Sequence, residues 1–64
     1  MEVYIERENK IIEVDGKLTG VELLKNLKIN PETIILVRNN EVVLESEKLI
    51  DSDKIKILSV VSGG

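Results

Sequence analysis

Leu18-Thr19-Gly20-Val21-Glu22-Leu23-Leu24-Lys25-Asn26-Leu27 is the stretch on which the architecture turns. Thr19 is followed three residues later by Glu22, the spacing of a capping box. The Thr hydroxyl can take the amide of Glu22 while the Glu carboxylate reaches back to the amide of Thr19. Leu18 precedes the cap and Leu23 stands at the fourth helical position, the spacing of a hydrophobic staple. Val21, Leu24 and Leu27, with Leu23 alongside, recur at three- and four-residue intervals and form one apolar face, while Glu22, Lys25 and Asn26 lie away from it. The helix is expected to stop near Lys28, since Asn30 precedes Pro31 and is pushed towards extended geometry.

On both sides of this single short helix the pattern changes to that of strands. Upstream, Val3, Ile5 and Arg7 alternate with Tyr4 and Glu6. Glu8-Asn9-Lys10 is a polar break, and Ile11, Ile12 and Val14 form a second strand, so residues 2–14 read as a hairpin. Asp15-Gly16-Lys17 ends it, with Gly16 free to take positive φ. Downstream, Thr33 to Arg38 is a continuous apolar run of strand length. Asn39-Asn40 supplies the left-handed backbone that a tight hairpin needs, and Glu41 to Leu44 returns. Residues 45–48 read as a polar loop, Leu49 and Ile50 as a small buried stretch, Asp51-Ser52-Asp53 as a turn, and Lys54 to Val61 as the last strand. The order is β-β-α-β-β-β, one α+β domain over residues 1–61, followed by an expected flexible tail at 62–64.

Composition narrows the functions open to such a domain. The chain has 64 residues and neither Cys nor His. A chain this short buries only about 60% of the surface it exposes when unfolded. Disulfides and the usual zinc ligand sets are excluded as compensation. The core must come from the Ile, Leu and Val that dominate its 42% hydrophobic fraction, with Tyr4 the one aromatic residue. That β-branched bias favours strands. The net charge is −3, from 12 acidic and 9 basic residues, and the basic residues are scattered. With no basic stripe and no stacking aromatics, no nucleic-acid partner is expected. The longest apolar run, Ile34 to Val37, is far too short for a membrane span. The strand-like start shows no signal peptide, so a cytoplasmic location is expected. The serines have no His base, which excludes a Ser–His triad. No metal site and no phosphate loop is visible, so the chain is expected not to be an enzyme. Asp51 and Asp53 could suggest a cation site, but Asp and Ser favour turns and calcium needs more ligands.

The sequence ends Ser62-Gly63-Gly64. Two Gly at given positions arise by chance at roughly 0.5%. On the dipeptide alone a frayed terminus is the better explanation of the tail, since many unrelated chains end in small residues. The fold context favours a functional reading. An enzyme that activates a terminal carboxylate must draw it into a narrow cleft beside a nucleotide, and Gly lets the backbone pass where side chains would clash.

Three segments carry a resemblance to a known family: Thr19 to Leu24 (TGVELL) at the helix start, Ile34 to Val43 (IILVRNNEVV) through the strand-turn-strand, and Asp51 to Gly64 (DSDKIKILSVVSGG) through the turn, last strand and tail. In this order and spacing they resemble the ubiquitin-like β-grasp sulfur carriers of the ThiS/MoaD type, including the archaeal small ubiquitin-like modifiers. The hairpin turn, Asn39-Asn40, departs from the Asn-Gly or Asp-Gly pair more usual there. The resemblance implies a mixed sheet of four to five strands packed on the helix. It implies that Gly64, with Gly63 as the second half of the di-glycine, is adenylated and then thiocarboxylated. The partner would be an E1-like enzyme of the ThiF/MoeB type, which uses ATP and Mg²⁺, while the carrier itself binds no cofactor. A sulfur donor and an acceptor synthase complete the set, serving thiamine, molybdopterin or tRNA thiolation, with a carrier that is monomeric when free. Two alternatives stay open: a protein modifier joined to target lysines through Gly64, and a β-grasp interaction module.

In such a domain one sheet face packs on the helix and the other is open. Alternation sends Val3, Ile5, Ile34, Leu36, Ile55 and Ile57 towards the helix. It leaves Tyr4, Ile35, Val37, Lys56, Leu58 and Val60 on the open side. Scattered exposed aliphatics are common and often mean little. An apolar patch clustered on neighbouring strands marks an interface instead, so Ile35, Val37, Leu58 and Val60 are expected to dock the activating enzyme.

Overall fold

Thr19 caps the helix as its spacing requires. In the computed structural model, which describes residues 1–60, helix α1 spans Gly20–Asn26. The amide of Glu22 donates to Thr19 Oγ1 at 3.2 Å, and the amide of Thr19 donates to Glu22 Oε1 at 3.0 Å. Both halves of the capping box are therefore made. The helix's two leading amides are also satisfied, as helix ends require. Gly20 donates to the carbonyl of Glu47 at 3.0 Å and Val21 to that of Glu45 at 2.7 Å. The 45–47 loop thus runs directly over the helix start, and this close approach needs Gly20. A Cβ there would sit 2.6 Å from Leu36 Cδ2 and 2.8 Å from the carbonyl oxygen of Glu45.

The buried stripe of α1 is Gly20, Leu23 and Leu24, with Leu27 half-buried behind them. These are positions i, i+3, i+4 and i+7 of one helical face. Val21, expected on that face, falls at its rim and is exposed. The helix closes as a Schellman motif: Lys28 donates to the carbonyl of Lys25 and Ile29 to that of Leu24, with Lys28 left-handed at φ 58.

The strands are β1 (Glu2–Ile5), β2 (Lys10–Glu13), β3 (Leu18–Thr19), β4 (Ile34–Arg38), β5 (Glu41–Val43), β6 (Lys48–Leu49) and β7 (Lys54–Ser59). Five of them form one mixed sheet in the order β2-β1-β7-β4-β5. At its centre β1 and β7 run parallel, with Val3 beside Ile55 and Ile5 beside Ile57. The other pairings in that sheet are antiparallel. This is the α+β, β-grasp arrangement of one helix on a mixed five-stranded sheet. A second, two-stranded sheet pairs Leu18 of β3 with Leu49 of β6. Val3, Ile5, Leu36, Ile55 and Ile57 are buried against Leu23, Leu24, Leu49 and Met1 in one core, and Ile34 packs on its edge.

Several boundaries differ from the sequence expectation. β1 stops at Ile5 instead of reaching Arg7, because Glu6–Glu8 coil into a 3₁₀ turn that Asn9 ends at φ 49. Lys48, expected in a loop, pairs with Thr19. Leu44 lies beyond β5, where its carbonyl accepts from the amide of Glu47 and opens the next turn. Leu49 is fully buried, but Ile50 is 45% exposed. Ile50 is held by its backbone instead: its amide donates to Asp53 Oδ2 and its carbonyl accepts from the amide of Asp53, each at 3.0 Å. β7 ends at Ser59, and Val61, expected in it, lies outside the described residues.

The Asn39-Asn40 turn is left-handed at both positions, with φ 50 and 69, as a two-residue hairpin turn requires. Asn39 does more than turn the chain. Its Nδ2 donates to Asp53 Oδ1 and its Oδ1 accepts from the amide of Lys54, each at 3.0 Å. Asp53 is the one buried charged side chain among the described residues, and each of its carboxylate oxygens accepts an N–H. Asp51 Oδ1 accepts from the amide of Gly16 at 2.7 Å. Both aspartates therefore act as turn and loop anchors.

Candidate functional site: the open sheet face and the chain's exit

The sheet face turned away from α1 is built by register. Ile11 of β2 lies opposite Tyr4 of β1, Tyr4 beside Lys56 of β7, Lys56 opposite Val37 of β4, and Val37 opposite Val42 of β5. One row of five side chains therefore crosses all five strands. In the next row Leu58 lies opposite Ile35. One step further the amide of Val60 donates to the carbonyl of Thr33 at 3.1 Å, which carries the β4–β7 ladder past the end of the strand.

The open face is apolar, but unevenly exposed. Ile35 is 38% and Val60 51% exposed, and Val42 is 72% exposed on the edge strand. Leu58 is half-buried. Val37, expected to be open to a partner, is only 8% exposed. It sits on the inner strand β4 between Lys56 and Val42, and these neighbours cover it. Val37 is thus the floor of the face rather than its contact surface. Ile11 and Val42 were absent from the sequence-based selection, although the signal was available. Ile12 and Val43 pack against the core, so alternation turns their neighbours outward. The charge in the central row is that of Lys56, and the Tyr4 hydroxyl is occupied by donation to Asn9 Oδ1 at 3.1 Å.

The exit of the last strand is held from both sides. On the β4 side, Thr33 receives Val60 and is itself fixed through its amide and hydroxyl, both donated to the carbonyl of Asn30. On the other side, β1 can pair with β7 only as far as Ile5, and the amide of Ser59 donates to Glu6 Oε1 at 3.0 Å. Gly63 and Gly64, expected to carry the reactive terminus, lie outside the described residues. The described part of the site offers an apolar, partly exposed sheet face beside a fixed chain exit.

The model of the ThiS family matches residues 2–64. The chain belongs to the ThiS family. It is a ubiquitin-like sulfur carrier of the ThiS/MoaD type, a class of small carrier proteins and not enzymes. It is 37% identical over 57 residues to the sulfur carrier protein TtuB of Thermus thermophilus, a match covering 89% of this chain and 88% of that one. An uncharacterized protein of Archaeoglobus fulgidus is 34% identical over 53 residues, covering 83% of this chain and 76% of the other. Among solved structures, the crystal structure of the thiamine biosynthesis protein ThiS from Geobacter metallireducens aligns over 100% of both chains with TM-score 0.68 and 28% identity. The solution structure of a thiamine biosynthesis protein from the same organism aligns with TM-score 0.64 over 100% of this chain and 88% of that one, and at 23% identity it supports the fold alone.

Proposed function

We propose that this ThiS-family protein carries sulfur as a thiocarboxylate on Gly64. The observation that carries the reading is the family match, which runs through Gly63-Gly64. In the proposed sequence an E1-like enzyme binds the chain by its open face, around Ile35, Leu58 and Val60, and draws the tail into its nucleotide site. The Gly64 carboxylate attacks the α-phosphate of ATP held with Mg²⁺, forming an acyl-adenylate and releasing pyrophosphate. Sulfide-level sulfur from the donor then attacks the acyl carbon as hydrosulfide, the C–O bond to AMP breaks, AMP leaves, and the thiocarboxylate remains. Activation by the partner is needed because a carboxylate oxygen is a poor leaving group. The carrier contributes the carboxylate and the recognition surface. The thiocarboxylate then delivers its sulfur to an acceptor enzyme. The name of the Geobacter structural neighbour supports thiamine biosynthesis as the receiving pathway, while molybdopterin or tRNA thiolation would use the same thiocarboxylate.

The test is ATP–pyrophosphate exchange with a ThiF/MoeB-type enzyme from the same organism. Exchange that depends on the carrier and disappears on deletion of Gly64 is expected. Exchange that is unchanged by the deletion would contradict activation at this terminus.

A further inference from the structure

The Glu6 carboxylate stands where backbone pairing of the last strand gives out. β1 and β7 pair in parallel through Ile5 and Ile57. Glu6–Glu8 then turn away as a 3₁₀ segment, so β1 has no backbone carbonyl to offer Ser59. Glu6 Oε1 accepts the Ser59 amide instead, at 3.0 Å and across 53 positions of sequence. One residue later, Val60 is held from the opposite side by Thr33. The early end of β1, which ran against the strand alternation of Val3, Ile5 and Arg7, is what places Glu6 at this point.

We propose that Glu6 is a positioning residue for the reactive terminus: its carboxylate latches Ser59 and so fixes, from the β1 side, the point and direction in which the chain leaves the sheet towards Gly64. The inference rests on the carrier reading above. Without the latch, Ser59 and Val60 are tied to the β4 side alone, and the direction in which the chain leaves the sheet is set from one side only. The terminus then samples more positions for each productive one, while Leu58 and Val60 of the open face keep their β4 partners. The loss should therefore fall on kcat of activation and leave KM in place. Full release of one residue's backbone would correspond to about a five- to thirtyfold loss, so release from one side only corresponds to about three- to tenfold.

The experiment uses the full chain, unlabelled and ¹⁵N-labelled, with the ThiF/MoeB-type enzyme, ATP and Mg²⁺. In Glu6→Ala, exchange protection of the Ser59 amide should be lost, kcat for carrier-dependent pyrophosphate release should fall about three- to tenfold, and KM for the carrier should stay unchanged. Glu6→Gln keeps an oxygen that accepts the same N–H and should restore both readouts. Glu6→Ala with wild-type kcat, or with Ser59 still protected, would overturn the latch, as would Glu6→Gln failing as Ala does or a loss that appears in KM alone. A wild-type chain that the enzyme never activates would instead overturn the carrier reading, and with it the role of the latch. Protection at Ser59 reports the hydrogen bond in either case.

Discussion

At Gly20 a hydrogen atom is all that fits. The first turn of the helix passes under the Glu45 backbone and over Leu36, and the nearest atom to an added Cβ would be 2.6 Å away. One of the close neighbours is main chain, which cannot swing aside. Gly20→Ala should therefore destabilise the fold by about 1–3 kcal/mol through overpacking, even though Ala is the better helix former. Urea denaturation measures this, and a midpoint equal to or above wild type would show that the 45–47 loop yields freely. The residue scale is also where sequence reading divides most clearly. The Thr19–Glu22 capping box, the positive φ of Gly16 and the left-handed turn at Asn39-Asn40 are local features, so they were legible from spacing and conformational preference. Gly20, Glu6 and Asp53 act on partners remote in sequence, at Glu45, Ser59 and Asn39. Nothing local marks such pairings before the strands are laid side by side.

At the scale of elements, alternation assigned the faces of β1, β4 and β7 correctly, since side-chain direction has a fixed period of two. It did not give exposure, which depends on what the adjacent strand places alongside. Val37 and Ile35 both point to the open face from β4, yet Val37 is covered and Ile35 is not. The two should separate in a paired experiment. Ile35→Asp should leave the melting transition close to wild type and weaken binding to the activating enzyme by roughly tenfold or more, as loss of a contact residue does. Val37→Asp should cost about 1–3 kcal/mol or more, because it puts a carboxylate in a closed apolar position where Lys56, opposite it, is the cation at hand. Calorimetry and titration binding on the two variants measure this. Equal stability of both, or wild-type affinity of a folded Ile35→Asp, would remove the contact role assigned to the face. Short elements were the least legible. The two-residue strands β3 and β6 carry no period of their own and exist because Leu18 and Leu49 meet over the core. The helix rim at Val21 was misassigned because a helix of seven residues offers too few positions to define its buried stripe.

For the whole molecule, the parallel β1–β7 pair is the organising feature. It places the last strand in the middle of the sheet, so the segment leading towards Gly64 leaves from the best-supported strand. A domain of this size has a small margin of stability, and here that margin is supplied by one aliphatic core. Among the described residues, no helix is long and apolar enough to cross a membrane. The fold class was legible because one capped helix among β-branched runs admits few packings. The function was legible only through the conjunction of that fold with Gly63-Gly64, since the tail has no structure-forming pattern of its own. The central claim, that Gly64 carries sulfur, is tested most directly by the intact mass of the protein purified from its own cells, beside a Gly64 deletion. The account predicts a fraction heavier by the difference between sulfur and oxygen, absent from the deletion. A single unmodified mass, with Gly64-dependent conjugates in the same lysate, would contradict it and identify a protein modifier instead.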